Sequence, residues 1–219
     1  MIERQGPEEN GEAEANRTAR IQWLYTLALK RHGCRPKGVG WSDRAGQLLR
    51  FAQLVRVMEG EPHGAPVTVN DLGCGYGALF PFLLTQRAVR VGGYVGYDMT
   101  RAMVLQAREA VRDHRARFLL DDKATVPADY GFASGTFNVL AGGEESAWRE
   151  EIITRLIDFA AMNRKGFAFN MLGLDHPRRD DLMFYTAPDA FHEAFEARGM
   201  DTTLLTGYMP GDWTMLVRY

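Results

Sequence analysis

Asp71-Leu72-Gly73-Cys74-Gly75-Tyr76-Gly77 constrains this chain more than any other segment. Its three alternating glycines follow directly on Val67-Thr68-Val69-Asn70-Asp71, a short β-branched run that predicts a strand. They lead into an apolar stretch from about Ala78 to Ala88 that predicts a helix. Glycine accepts positive φ and lets the backbone approach a bound group with no Cβ in the way. Strand, glycine turn and helix in that order open a βαβ crossover, which requires parallel strands. In a doubly wound sheet this turn lies at the carboxyl edge, where ligands bind.

The alternation continues downstream. Val91 to Asp98 predicts a second strand, and Thr100 caps a helix with Met103, Val104, Ala107 and Val111 on its apolar side. Arg117 to Leu120 predicts a third strand. Tyr130 to Ala133 predicts a fourth, weakened by Gly131. A helix between Ala147 and Met162 carries Trp148, Ile152, Leu156 and Phe159 at helical spacing, and Phe167 to Met171 predicts a fifth strand. A short helix from about Asp189 to Arg198 stops at Gly199, and strands at Thr202–Thr206 and Thr214–Tyr219 follow. The link from Gly207 to Asp212 is too short for a helical crossover, so those two strands are expected to be antiparallel. The fold class is therefore α/β, a doubly wound and mostly parallel sheet.

Three segments are expected. Residues 1–14 are polar and acidic and predict a disordered tail. Residues 15–65 predict a helical extension that lids the site. Its first helix runs from about Ala15 to Lys30 with Ile21, Leu24, Tyr25 and Ala28 on one face. After a break at Arg31–Gly40, its second helix starts at an N-cap of Ser42 or Asp43 and carries Ala45, Leu48, Leu49, Ala52 and Val55. Residues 66–219 form the ligand-binding domain.

Composition narrows the function. The 219 residues carry a net charge of -2, which argues against a large nucleic-acid footprint. Two cysteines, Cys34 and Cys74, are too few for a disulfide framework or a four-cysteine zinc site, and no Cys/His cluster has metal-ligand spacing. No apolar run approaches the ~20 residues of a membrane span, and the first residues lack a secretory core, so the expected location is cytoplasmic.

Asp98 ends the second strand 21 residues beyond Gly77, the place from which an acid hydrogen-bonds ribose hydroxyls. Gly73, Gly75 and Ala78 also fit the dinucleotide fingerprint, so a nicotinamide-dependent oxidoreductase is a competing reading. Asp71 argues against it. A carboxylate two residues before the first glycine repels a pyrophosphate and attracts a cation. Opposite charges ~4 Å apart gain about 4 kcal/mol at an effective dielectric of 20. A glycine turn with no ligand, and Asp98 as a helix cap, is the bland alternative.

At these residues the chain resembles the class I S-adenosylmethionine-dependent methyltransferases, over roughly Val67 to Tyr219. Asp71, Gly73, Gly75 and Gly77 match the family's first motif and Asp98 its ribose-binding acid. The segment Asp129 to Phe137 is similar to the fourth-strand motif, and Phe167-Ala168-Phe169-Asn170 to the fifth strand. The resemblance implies a Rossmann-like seven-stranded sheet with an antiparallel last strand, S-adenosylmethionine as cofactor, and methyl transfer to an oxygen or nitrogen of a small-molecule acceptor. The wording from Ala133 to Asn138, with Val39-Gly40-Trp41, Gln47 and Arg50-Phe51, resembles a bacterial subgroup of methyltransferases whose acceptors are unassigned. A non-catalytic S-adenosylmethionine-binding protein is the alternative.

The resemblance also yields weaker candidates. Cys74 belongs to the cofactor loop. Asp121 or Asp122 is a candidate for the adenine amino group, and Met99 for the adenine face, with a turn acid and core packing as the plain alternatives. Ser134 to Asn138, after the fourth strand, are expected by the carboxyl-edge rule to line the boundary between cofactor and acceptor, with Ala133, Ser134 and Gly135 as cofactor-binding candidates, Gly135 letting the chain pass close to the methionine arm, and Phe137 as wall or core. Arg50 is a candidate fork for the methionine carboxylate or a surface arginine, and Trp41 a cover over the cofactor or an anchor for the helix. His176 and Tyr185, in or after the expected acceptor loop, are the only candidates for a catalytic role, with a solvated loop as the alternative. Neither nucleic acid nor membrane is an expected partner.

Overall fold

The computed structural model of the chain describes residues 7–87 and 89–219. Its seven strands are β1 (Pro66–Leu72), β2 (Arg90–Asp98), β3 (Ala116–Leu120), β4 (Ala128–Ser134), β5 (Asn163–Leu172), β6 (Asp201–Leu205) and β7 (Asp212–Arg218). They form one sheet in the order β3-β2-β1-β4-β5-β7-β6. All pairs from β3 to β5 are parallel, and β7 runs antiparallel to both β5 and β6. The order reverses between β1 and β4, which makes the carboxyl ends of those two strands the topological switch point.

Six helices accompany the sheet: α1 (Pro7–His32), α2 (Arg44–Leu54), α3 (Leu79–Leu83), α4 (Arg101–Ala110), α5 (Glu145–Ala160) and α6 (Asp189–Glu196). The two-residue period of the strands sorts side chains to two cores. Val69, Tyr94, Phe132, Ala168 and Leu216 face one side, where they meet Phe51 and Leu54 of α2, Leu79 of α3 and Val104 of α4. Leu72, Tyr97, Ala133, Phe169 and Met215 face the other, against Trp148, Ile152 and Leu156 of α5 and Phe191 and Phe195 of α6. On that side Phe167, Phe169, Phe191, Phe195 and Trp213 meet with ring centroids 5.5–6.1 Å apart, in edge-to-face, tilted and one stacked arrangement. Such pairs contribute about 0.5–1.5 kcal/mol each beyond the area they bury.

The expected strands and long helices stand within a few residues of their predicted positions. Gly131, read as a weakness in β4, has a packing reason: a Cβ there would lie 2.6 Å from the Phe159 ring and 2.4 Å from Asn163 Nδ2. Two boundaries differ, and one alternative is resolved. Helix α1 begins at Pro7 rather than near Ala15, so the expected tail is helical over residues 7–14. Proline at the first position and acids in the first turn are residue types that a helix start favours. The rest of that expectation, residues 1–6, falls outside the described residues. Helix α3 stops at Leu83, where the Thr85 hydroxyl donates to Phe82 O at 2.7 Å and offers the backbone a turn instead. Asp43, not Ser42, caps α2, its Oδ1 accepting from Gly46 N at 2.7 Å. A single 3₁₀ turn, Pro36–Val39, lies between α1 and α2, and a second, Val55–Met58, follows α2 on the way to β1.

Helix α1 lies outside the sheet layers. Its Ile21, Leu24 and Tyr25 pack with Met99, Val139, Ala141 and Met183 from the loops at the carboxyl edge. Thus the stripe read from the sequence meets the loops around the switch point and not the sheet itself. No helix among the described residues is long and apolar enough to cross a membrane.

Candidate functional site

A cleft of about 950 Å³ opens at the switch point, between the glycine turn, the ends of β2 and β4, and the N-terminal helices. Gly73, Gly75 and Gly77 hold φ of 72°, 54° and 81°, the left-handed region that L side chains resist. This geometry folds the turn back on β2. Gly73 N and Cys74 N both donate to Tyr97 O, at 2.8 and 2.9 Å, and Gly77 N donates to Cys74 O at 2.9 Å. Gly75 N donates to Asp98 Oδ2 at 2.9 Å.

Asp98 is therefore fixed from two sides, because Thr100 N donates to its Oδ1 at 2.7 Å. Burial raises the pKa of this carboxyl above the ordinary range, against the pull of those two amides. Tyr25 comes from α1 to the same place, and burial beside the Asp98 charge pushes its phenol up to about 12. Asp71 is 2 % exposed and accepts a hydrogen bond from the Tyr94 hydroxyl. Burial pushes its carboxyl up to about 7, with Asp98 adding to the shift and Tyr94 opposing it. The charge assumed for Asp71 in the sequence argument is thus only partly present near neutral pH without a cation beside it.

A pH dependence follows. An unfolded aspartate titrates near 3.9, so the folded chain holds this proton more tightly. The stability contributed by Asp71 is fully present below about pH 4 and is lost as pH rises through about 7. Urea unfolding should show roughly 1–2 kcal/mol less stability at pH 8 than at pH 6 from this group. Asp71→Asn should flatten the slope, and an unchanged slope would remove Asp71 as its source.

The cleft gathers most of the predicted residues. Trp41, Asp71, Gly73, Cys74, Gly75, Asp98, Met99, Asp121, Asp122, Ser134, Gly135 and Phe137 all line it. Met99 lines the cleft and also packs against the small cluster that α1 forms with the edge loops. Phe137 likewise lines the cleft and sits edge-on to Trp148 at 6.4 Å. The two acids after β3 separate: Asp122 is paired with Arg155 at 2.9 Å, whereas Asp121 Oδ1 only accepts from Lys123 N at 3.1 Å. The Cys74 thiol packs against Gly96 and burial pushes it well above its ordinary range, so it is no nucleophile.

Five candidates stand elsewhere. Gly77 does not line the cleft; the Phe118 ring occupies the direction its Cβ would take, at 3.0 Å. Ala133 points the other way along β4, into the α5 side of the core. Arg50 is neither a surface residue nor on the cleft. It is 6 % exposed, its Nε donates to Asp212 Oδ2 at 2.6 Å, and its guanidinium lies over the Trp41 ring at 4.1 Å. Tyr185 is buried and its hydroxyl pins the loop, accepting from Asp180 N at 2.9 Å and donating to Arg178 O at 3.2 Å. His176 Nδ1 is engaged by the Arg178 backbone, with N 3.3 Å and O 2.5 Å away. Both side chains build the loop and neither lines the cleft. Among the described residues no three metal-ligating side chains cluster.

Ile21, Tyr25, Val39, Thr136, Trp148 and Arg155 line the cleft without having been singled out for it. The 3₁₀ turn seats Val39 Cγ1 2.7 Å from where a Gly75 Cβ would be, and the Trp41 ring lies 2.4 Å from where a Gly135 Cβ would be. The signal for Ile21 and Tyr25 was present as an apolar stripe at a spacing of four, but a stripe does not say which surface it covers.

No family model matches the chain. The curated "Putative methyltransferase Rv1506c" of Mycobacterium tuberculosis is 34 % identical over 157 residues, covering 70 % of this chain and 93 % of that protein. Solved structures share the fold at low identity. Magnesium protoporphyrin IX methyltransferase from Synechocystis, with bound SAH, superposes with a TM-score of 0.59 at 15 % identity, over 80 % of this chain and 84 % of that one. A SAM-dependent methyltransferase of Leishmania major gives 0.64 at 11 %, over 93 % and 83 %. The amino pentose methyltransferase CalS10 of Micromonospora echinaspora gives 0.54 at 15 %, over 79 % and 90 %. With the curated relative covering most of its length and the sheet order and glycine turn in place, the chain belongs to the class I S-adenosylmethionine-dependent methyltransferases.

Proposed function

We propose that the cleft binds S-adenosylmethionine and that the chain methylates an oxygen or nitrogen of a small-molecule acceptor. The observation that carries this is the use of the turn's amides. Gly73, Cys74, Gly75 and Gly77 spend their N–H groups on Tyr97 O, Asp98 and Cys74 O. A pyrophosphate needs such donors free, so the turn suits a ligand that asks only for close approach. The remaining groups fit the same ligand. Asp98, buried and held by two amides, faces the cleft with lone pairs for two ribose hydroxyls. Asp121 is the acid for the adenine amino group, since Arg155 engages Asp122. Asp71 has a cation to gain from the sulfonium or ammonium, which would hold its carboxyl ionised. Ser134, Gly135, Gln47 and Trp41 enclose the methionine end, and Ser134 Oγ is buried without a partner among the described residues.

When bound, the cofactor supplies an electrophilic methyl carbon on sulfur. The chain's own contribution is placement and exclusion of water. Residues 15–65 serve as a lid: Ile21, Tyr25, Val39, Trp41, Gln47 and Phe51 contribute apolar and amide surface over the cleft. A small molecule rather than nucleic acid is supported by the net charge of -2. In the words of their names, the solved neighbours from Synechocystis and Micromonospora act on a porphyrin and an amino pentose.

Calorimetry with S-adenosylmethionine, S-adenosylhomocysteine and NAD tests the reading, and tighter binding of NAD would sink it. Asp98→Ala should weaken S-adenosylhomocysteine by about 1.5–3 kcal/mol with the fold intact, the worth of hydrogen bonds to a charged group. An unchanged dissociation constant would remove the ribose assignment.

A further inference from the structure

Helix α1 has two faces with different destinations. Ile21 and Tyr25 look inward and line the cleft. At 3.6 residues per turn, Arg20, Trp23, Leu27, Lys30 and Arg31 share an arc of about 100° on the far side. All five are exposed, Trp23 by 62 % and Leu27 by 48 %. The two apolar side chains stand one turn apart in the middle of this face. Lys30 flanks them on one side, and Arg20 and Arg31 on the other. Arg20 also donates to Ala141 O at 3.3 Å. A surface helix normally gives its outer face to polar residues, so a tryptophan and a leucine at the centre of a basic one call for an occupant.

The charge around the pair is one-sided. Residues 15–42 hold six Lys and Arg and no Asp or Glu, in a chain whose net charge is -2. The net figure hides that asymmetry. Exposed Arg35 and Lys37 carry the basic stretch past the end of the helix. The acids Glu8, Glu9, Glu12 and Glu14 come nine residues or more before Trp23, about 13 Å or more along the helix axis and beyond the ~8 Å Debye length of physiological salt. Helix α4 is tied alongside, because Gln22 Nε2 donates to Met99 O at 2.9 Å and the Cys34 thiol to Gln106 Oε1 at 3.1 Å. It repeats the pattern: Leu105 is 53 % exposed between Arg101 and Arg108 at helical spacing, with Glu109 as the acid of that helix.

We infer that the outer face of α1 docks on an anionic membrane surface. Trp23 and Leu27 enter the boundary between headgroups and acyl chains, and the basic residues around them meet the lipid phosphates. The inference is independent of what the cleft methylates. The expectation of no membrane partner rested on the lack of a spanning segment, which peripheral docking does not need. Two other occupants fit less of the face. A nucleic acid engages the basic groups and can stack on Trp23, but leaves Leu27 unused. A second copy seated by a two-fold axis about Trp23 and Leu27 sets Arg20 of one copy against Lys30 of the other, like charge on like. An anionic bilayer answers both the apolar centre and the basic rim. In the docked state α1 lies between the lipid and the cleft, with Ile21 and Tyr25 on the cofactor side.

The test sediments the full chain with vesicles of phosphatidylcholine that contain about a third phosphatidylglycerol, against vesicles of phosphatidylcholine alone. Partitioning should be about ten-fold or more tighter onto the mixed vesicles, and raising the ionic strength should release the protein. Lys30→Gln with Arg31→Gln should weaken it roughly 25-fold, about five-fold for each basic residue at the surface. Trp23→Ser with Leu27→Ser should weaken it about ten-fold or more and leave Tm within about 2 °C, since exposed side chains contribute little to the fold. Lipids with brominated acyl chains should quench tryptophan emission in the wild-type chain, and Trp23→Phe should remove that quenching. Equal partitioning onto both kinds of vesicle, or onto neither, overturns the inference. Undiminished binding by the Trp23→Ser, Leu27→Ser variant does the same, as does binding without quenching. Tighter binding of a duplex DNA or a single-stranded RNA than of the mixed vesicles gives the face to nucleic acid. A dimer in light scattering that the Trp23→Ser, Leu27→Ser variant dissociates gives it to a second copy. Either result also overturns the membrane assignment.

Discussion

Replacing Arg50 with methionine is expected to cost about 3–5 kcal/mol of folding stability, because it strips the partner from a buried carboxylate. The Arg50 and Asp212 side chains are 7 % and 2 % exposed, and Oδ1 of Asp212 has no second protein donor among the described residues to fall back on. Burial already raises the Asp212 carboxyl, and the Arg50 contact is what chiefly opposes that shift. The double variant Arg50→Met with Asp212→Leu should recover most of the loss, since a well-packed apolar pair often matches a buried ion pair. Urea unfolding of the single and double variants measures both effects. If Arg50 instead clamps the methionine carboxylate, Arg50→Met would weaken S-adenosylmethionine with little change in stability, and the double variant would recover nothing.

Gly73→Val should lower cofactor affinity by at least two orders of magnitude. The residue holds φ 72°, which costs an L side chain roughly 1–2 kcal/mol and a β-branched one more. A Cβ there would also lie 2.7 Å from both Thr136 Oγ1 and Cγ2. Thr136 lines the cleft and donates to Leu72 O at 2.7 Å, so it has no free direction of retreat. The turn must shift, and with it the Tyr97 O contacts that shape the ligand surface. Gly77→Ala is the matching control. It strains the turn against Phe118, away from the cleft, and should lower Tm while leaving the S-adenosylhomocysteine dissociation constant within a few-fold. Normal binding by Gly73→Val would mean that the turn does not touch the cofactor.

These two residues show what a sequence makes legible. The glycine turn, Asp98 and the strand–helix alternation are local signals: each is read within a few residues, and the parallel crossovers then dictate which loops meet. The antiparallel β7 was legible for the same reason, through the shortness of its link to β6. Arg50 was not. Its partner Asp212 lies 162 residues away and is brought to it only by strand order, which places β7 beside β5 under α2. Ala133 and Ser134 were grouped together by motif, yet the pleat sends them to opposite faces. Tyr185 spends its hydroxyl, and His176 its Nδ1, on hydrogen bonds within their own loop, which no local motif announces.

The union of α2 with β7 has a consequence for how the chain is made. Besides the Arg50–Asp212 pair, Arg218 of β7 donates to the carbonyls of Val57 and Arg56, at 2.9 and 2.6 Å, again across more than 160 residues. Synthesis at about 5–20 residues per second separates the two partners by roughly 8–30 s. Throughout that interval the apolar stripe of α2 has been made and the strand that completes its seat has not. The nascent segment therefore spends its exposure on the ribosome, where holdase chaperones act. Variants that weaken β7 should reduce soluble yield in the cell before they change the behaviour of protein that has already folded.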